Sequence, residues 1–575
     1  MADPKFAWPP VEQISRLRQR QTAPLILELD LTDGVPEGPV TDPVSAVLSR
    51  RKIRLPDIIE GLRRARHDDR VRALVVKVGG SHMGLAKIQE LRAAVTAFRE
   101  SGKLAVAWAE SFGEFTQGNL PYYLATAFDR IYLQPSGALG LTGVAVEQLF
   151  LHDALAKIGV AFQSAKRHEY KTAADNLTER GFTGPAREAA ERLADSIAEQ
   201  ISAGIAERRG KTPEQARALL EAGPFLPEEA LAEGLIDAIG YRDEVYAAVR
   251  KQAGKGAILM YVARYQRAHI LAQRTRHLPK PRERFVAVIY ATGPIKSGRS
   301  TRSPLGGGAM GSDTVAGALR SARSDDRVRA VVLRVNSPGG SSTASDTIWR
   351  ETVRLRAAGK PVVVSMSDVA ASGGYAISMA ADVIVAQPGT ITGSIGVIAG
   401  KPVFAEALER IGVTIDSVSD GGSATMFAPT HPFSDAEWDR LNRWLDVIYQ
   451  DFIEKVATGR RLSVERVHEI ARGRVWTGAD ATGIGLVDEL GGLGTAAEIA
   501  RRRAGLPASV PLRVYPRLTP LDQLRPPESS ESRPAAPAAL SFGFADGWGP
   551  AWRLAARAGL SPYGPLMLPG NWNIS

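Results

Sequence analysis

Short apolar runs alternate with amphipathic stretches along most of the chain. Leu25–Leu31 (LILELDL) and Phe285–Tyr290 (FVAVIY) read as buried strands, each followed by a glycine turn. Ala73–Val78 (ALVVKV) and Ala330–Val335 (AVVLRV) come next, each behind a helical stretch. Leu104–Trp108 and Val362–Ser365 follow, each just after a Gly-Lys pair. Strands that alternate with helices in this way predict an α/β fold with parallel pairing. Two long amphipathic helices are predicted later. One covers Pro185–Arg209 with Thr183 as its cap; the other covers Asp435–Arg460, opened by the capping box Ser434-x-x-Glu437. A shorter helix is predicted over Ala376–Ala381.

The pattern occurs twice. Asp68–Ala73 (DDRVRA) recurs as Asp325–Ala330 at an offset of 257, and Tyr122–Val144 recurs as Tyr375–Val397 at an offset of 253. Ile158-Gly159-Val160 recurs as Ile411-Gly412-Val413, and Gly234–Asp237 as Gly485–Asp488. A slowly drifting offset marks a duplicated domain with small loop changes. The expected division is an N-terminal arm over 1–22, a first domain over 23–254, a connector over 255–282, a second domain over 283–518, and a Pro-rich linker and tail over 519–575. The tail holds Trp552, Leu560, Tyr563, Met567 and Trp572 among prolines, and suits docking on the protein or on a membrane.

Composition narrows the class. A hydrophobic share of 44% with 23% charged residues describes a globular chain. The formal charge of +10 is scattered, without an RNA-binding motif, zinc finger or Arg-rich arm, so no nucleic-acid partner is expected. The absence of cysteine excludes disulfides, thiol catalysis and cysteine metal sites. No HExxH or other metal motif appears, and neither a metal nor a cofactor is expected. No apolar run reaches the roughly 18 residues of a membrane span, and the first residues lack the apolar core of a signal peptide, so a soluble or peripheral chain is expected.

Two glycine-rich elements in the second half carry candidate chemistry. Arg334-Val-Asn-Ser-Pro-Gly-Gly-Ser341 directly follows a buried strand, and Ala370-Ala-Ser-Gly-Gly-Tyr375 precedes the predicted short helix. Glycine pairs let backbone amides approach a ligand oxygen. Ser372 as nucleophile, with N–H groups of Gly373 and of Gly339 or Gly340 as an oxyanion hole, forms a coherent acyl-transfer site. The plainer reading is a glycine turn with Ser372 as helix cap. None of the eight histidines stands in a recognisable triad context and no G-x-S-x-G elbow occurs, which leaves a desolvated lysine as the other option for a base.

The two copies differ at these positions. At an offset of 253 Ser372 falls on Asn119, and Lys171 of the first half falls on Ala424. One half lacks the serine; the other lacks the lysine.

Tyr170–Glu188 (YKTAADNLTERGFTGPARE), Arg334–Ser341 (RVNSPGGS) and Asp368–Val397 (DVAASGGYAISMAADVIVAQPGTITGSIGV) resemble the signal peptide peptidase A family in its long, duplicated bacterial form, over roughly residues 25–510. The resemblance implies two tandem ClpP/crotonase-like domains and a serine endopeptidase with a Ser-Lys dyad. Ser372 would be the nucleophile and Lys171 its general base. Gly339 or Gly340 and Gly373 would form the oxyanion hole, and Ser394 would orient the lysine. Hydrophobic remnant signal peptides would be the substrates, and a homo-tetramer the assembly, with lysine and serine meeting across a domain or subunit interface. Family members are anchored at the periplasmic face of the inner membrane; without a visible anchor, a cytoplasmic or peripheral location is the expectation for this chain. The alternatives are a crotonase-type acyl-CoA enzyme and a non-catalytic scaffold at a membrane surface.

Overall fold

The apolar runs become the central strands of two parallel sheets, one in each of two units. The computed structural model describes residues 22–38, 53–80, 83–276, 283–302, 308–516, 566–567 and 573–574. The arm over 1–21, the end of the connector at 277–282 and most of the tail lie outside the described residues.

The sheet of the first unit has the order Ala238–Ile239, Arg130–Leu133, Leu104–Ala109, Val71–Lys77, Leu25–Asp30, Ile258–Tyr261, and every neighbouring pair is parallel. Its strands are apolar on both faces because both faces are covered. On one face Ile26, Val75 and Val106 pack against Val245 and Val249 of the helix Arg242–Ala253. The helix Leu55–Ala65 buries Ile58 and Leu62, and Leu85–Arg99 buries Ile88 and Leu91.

The second unit repeats that order with Glu489–Leu490, Val383–Ala386, Val362–Ala371, Val328–Ser337, Phe285–Thr292 and Leu512–Val514. The duplication is visible in single hydrogen bonds. Lys103 Nζ donates to the carbonyls of Ala65 and Asp68, and Lys360 Nζ to those of Ala322 and Asp325. Tyr122 donates its hydroxyl proton to Leu235 O, and Tyr375 to Leu486 O.

The copies part at one end of this sheet. In the second unit Val362–Ala371 runs on to pair with Ile391–Gly393, which pairs in turn with Val475–Thr477. In the first unit only isolated bridges, Phe112 to Leu139 and Leu139 to Phe225, mark the same place. The extended end carries Ser372.

The long helices span Gly184–Arg209 and Asp435–Arg460. Thr183 Oγ1 accepts from Ala186 N, and Ser434 with Glu437 forms the expected box. The short helix differs from expectation. It covers Gly373–Ala376, and turns follow it, because Asp382 N donates to Val362 O and draws the chain into the next strand.

Contacts group Val144–Ile197, a stretch of the first sequence repeat, with the second unit, and Ala198–Lys280 with the first. A six-residue antiparallel pairing of Ala161–Lys166 with Ile398–Val403 ties that stretch in place. Further on, Arg192 makes a two-pronged contact with Asp480, Ser196 Oγ meets Thr477 Oγ1 at 3.0 Å, and Arg472 and Arg474 pair with Glu169 and Glu188. These links carry Lys171 into the second unit.

Candidate active site

Ser372 ends the strand Val362–Ala371 and starts the one-turn helix Gly373–Ala376. Its backbone has φ 55° and ψ −114°, a conformation that costs a non-glycine residue about 1–3 kcal/mol. The surroundings enforce it: Ser372 N donates to Gly393 O, and Ser372 O accepts from Ala376 N. The side chain makes no capping bond to the helix, so the plainer cap reading does not describe it. The hydroxyl is instead turned toward an amine.

That amine is Lys171. Its Nζ lies 2.8 Å from Ser372 Oγ, 3.0 Å from Ser394 O and 3.0 Å from Ser394 Oγ. All three residues are inaccessible to solvent. These contacts include no carboxylate, so nothing offsets the loss of water around an ammonium. Burial therefore holds the lysine pKa well below its ordinary value. A neutral amine fits the contacts, with two N–H groups for Ser394 and a lone pair for the Ser372 hydroxyl.

Ser394 also has positive φ, at 49°, and its N donates to Arg474 O. Gly473, with φ +85°, lies against Lys171; a Cβ there would sit 2.5 Å from Lys171 N. Gly396 closes another side, where a Cβ would be 3.2 Å from Lys171 Cδ. Sequence reasoning missed Gly473 and Gly396 as walls of the lysine site. Gly396 lies inside a motif noted for its serine. Gly473 lies among arginines after the helix Val464–Ile470, where only a turn signal marked it.

The two glycine loops meet beside Ser372. A Cβ on Gly373 would stand 3.0 Å from Gly340 N and 3.1 Å from Gly339 Cα, so only glycine lets them approach this closely. Gly339 N donates to Ser337 Oγ at 3.2 Å. Gly339–Gly340 is itself a short strand, and the chain's own Leu566–Met567 pairs antiparallel with it. The edge beside Ser372 thus accepts an extended peptide backbone.

Ser372, Lys171, Ser394, Gly339, Gly340 and Gly373 are brought together within one chain and one unit. Among the described residues no cluster of His, Asp or Glu could hold a metal ion.

The model of peptidase family S49 matches residues 97–255 and 354–507. The chain is 33% identical to the chloroplastic serine protease SPPA of Arabidopsis thaliana, over 79% of this chain and 66% of that one. It is 33% identical to Protease 4 of Salmonella typhi, over 84% of this chain and 79% of that one. A shorter match, 36% identical over 30% of this chain and 50% of the other, is to a protein of Enterococcus faecium named putative signal peptide peptidase SppA. The chain belongs to peptidase family S49. It is a serine peptidase built as a tandem α/β repeat.

Proposed function

We propose that this peptidase works through a Ser-Lys dyad, with Ser372 as nucleophile and Lys171 as general base. The observation that carries the reading is the 2.8 Å separation of Lys171 Nζ and Ser372 Oγ in a site closed to water. Ser372 Oγ attacks the scissile carbonyl carbon while its proton passes to the lone pair on Lys171 Nζ. The carbonyl oxygen, now an oxyanion, accepts from the N–H of Gly373 and of Gly339 or Gly340. The ammonium returns its proton to the leaving nitrogen as the C–N bond breaks, leaving an ester on Ser372. Water then attacks the ester, gives a proton to Lys171, and Ser372 regains its own. Ser394 holds the amine toward Ser372 throughout.

The substrates in this reading are hydrophobic peptides of the signal-peptide-remnant type. The name of the Enterococcus relative supports this, as does an edge at Gly339–Gly340 that pairs with an extended segment. The working form is a homo-tetramer at a membrane surface, attached peripherally; among the described residues no helix is long and apolar enough to cross a membrane.

Ser372→Ala and Lys171→Ala are each expected to lower cleavage of a fluorogenic hydrophobic peptide by roughly 10⁶-fold, with circular dichroism unchanged. An acylating serine probe labels Ser372 in the parent and not in the Lys171 variant. Substantial turnover by the Lys171 variant would remove the dyad. A preference for acyl-CoA over peptide would favour the crotonase-type alternative.

A further inference from the structure

The turn Arg472–Arg474 touches both sides of the lysine site. Ser394 N donates to Arg474 O at 2.7 Å and Gly473 N to Ile395 O at 2.8 Å, so the backbone of the turn fixes the segment that faces the amine. Its side chains reach the other way. Arg472 pairs with Glu169, and Arg474 reaches Tyr170 and Glu188. The turn grips the residues just before Lys171 while it holds Ser394.

Arg474 makes the tighter grip. Its guanidinium lies between two rings, 4.9 Å from the centroid of Tyr170 and 4.6 Å from that of Trp476. Trp476 is the fixed side of this sandwich. Its backbone pairs with Thr392, its Nε1 donates to Ile470 O at 2.9 Å, and its ring would stand 2.7 Å from a Cβ on Gly393. Tyr170 is the other side, and it directly precedes Lys171. Glu188 closes the cluster. Its Oε1 pairs with Arg474 Nη1 at 2.8 Å, and its Oε2 accepts from the Tyr170 hydroxyl at 2.7 Å. A planar guanidinium can stack between rings and pair with a carboxylate at once, which an ammonium cannot.

The first repeat builds the same place without the arginine. There Leu139 pairs antiparallel with Phe225 as Thr392 does with Trp476. Gly223 stands in the place of Arg474 at an offset of 251. At an offset of 253 Ser423 and Ala424 stand in the places of Tyr170 and Lys171. Arginine, tyrosine and lysine are absent together, and the strand pairing survives. The fold therefore does not need the arginine where there is no lysine to hold.

We propose that Arg474 is a positioning residue of the dyad, which keeps Lys171 in place by clamping Tyr170 against Trp476 and Glu188. This rests on the Ser-Lys reading above and names what holds its base. The amine bonds to Ser372 and Ser394, not to the clamp. The charged groups around the lysine loop pair with one another: Lys166 with Asp175, Arg167 with Asp446, Glu169 with Arg472, and Glu188 with Arg474. The His168 ring lies against Tyr449 and His468. The hydrogen bond from Tyr170 holds the Glu188 carboxyl below its usual range, so it stays an anion where the lysine titrates. Arg474 acts through geometry. With the clamp open the lysine loop moves, water reaches the amine, and the burial that favours its neutral form is lost.

Arg474→Lys keeps the charge and removes the stacked plane. In the full chain it is expected to lower kcat on a neutral peptide by roughly 10-fold to 10²-fold at neutral pH, with KM unchanged. The inflection of kcat/KM is expected to move up toward the roughly 10.4 of a free lysine. Part of the lost rate then returns on the alkaline side, which a damaged fold would not give. Tyr170→Leu opens the clamp from its other side and is expected to give the same shift. The double variant is expected to lose no more than the worse single one. Should Arg474→Lys fail to fold, Tyr170→Leu carries the test alone. Parent-like kcat and inflection, with Lys171→Ala inactive, overturn the clamp and leave the dyad standing. A fall in kcat without a shifted inflection, or additive losses in the double variant, overturns the clamp as well. An active Lys171→Ala chain removes the dyad and the clamp with it.

Discussion

Lys171 Nζ and Ser372 Oγ stand 2.8 Å apart although 201 residues separate them in the chain. The lysine comes from one sequence repeat and the serine from the other, yet contacts place both in one unit. The strand Ala161–Lys166 brings the lysine there, and the ion pairs around residues 169–192 hold it. The amine has no carboxylate to keep it charged. Burial without a compensating charge lowers its pKa well below that of a free lysine and so favours the neutral amine.

The pH dependence of kcat/KM follows from that neutrality. A protonated amine cannot take the serine proton, so activity rises with pH through the pKa of Lys171. Because burial lowers that pKa, the rise is complete well below the roughly 10.4 of a free lysine. A pH–rate profile on a neutral peptide checks this; an inflection at the free-lysine value would contradict it.

Stability carries the same signature. Between the lowered folded pKa and the free-lysine pKa the unfolded chain binds a proton at Lys171 that the folded chain does not. The unfolded state thus holds more protons, and stability gains from rising pH between the lowered folded pKa and about 10.4. Lys171→Met lacks this contribution. Denaturant unfolding of the two proteins is expected to show the parent gaining on the variant as pH rises across that window. Parallel pH dependences would mean that the lysine stays charged in the folded protein.

Gly473→Ala tests the wall behind the lysine. The added methyl would stand 2.5 Å from Lys171 N at a residue with φ +85°, so the backbone at Lys171 has to move. A displacement near 1 Å at a reacting group costs about 10²-fold. The expected result is a fall in kcat of that order, with slower probe labelling of Ser372. Unchanged kcat would show that the lysine position tolerates the shift.

Met567→Pro tests the peptide edge. Proline at the residue paired with Gly339 disfavours so short a strand, having no N–H to offer and a fixed φ. With the chain's own segment weakened as a competitor, KM for a peptide is expected to fall several-fold while kcat stays constant. An unchanged KM would show that this segment does not compete with substrate.

Much of this was legible along the chain. Runs such as ALVVKV and AVVLRV announce buried parallel strands because apolar residues on both faces require cover on both faces. The capping box at Ser434 and Glu437 and the stop at Arg460 bound the long helix as predicted. The site candidates were readable too, since Ser372 and Lys171 each survive in only one repeat. The short helix was placed too late, at Ala376–Ala381 instead of Gly373–Ala376, because alanine-rich spacing reveals neither that the helix starts directly at Ser372 nor that Asp382 N pairs with Val362 O and turns the chain.

The residue types and their repeat indicated a duplicated α/β chain with one serine and one lysine worth pairing, and the motifs' resemblance to a peptidase family implied the chemistry. Folding decided how they pair. Residues 144–197 pack with the second unit, so the two groups meet inside a single chain. Gly473 and Gly396 became walls of the site for the same reason. Their importance lies in the lack of space beside Lys171, and space between segments distant in sequence exists only after they have packed.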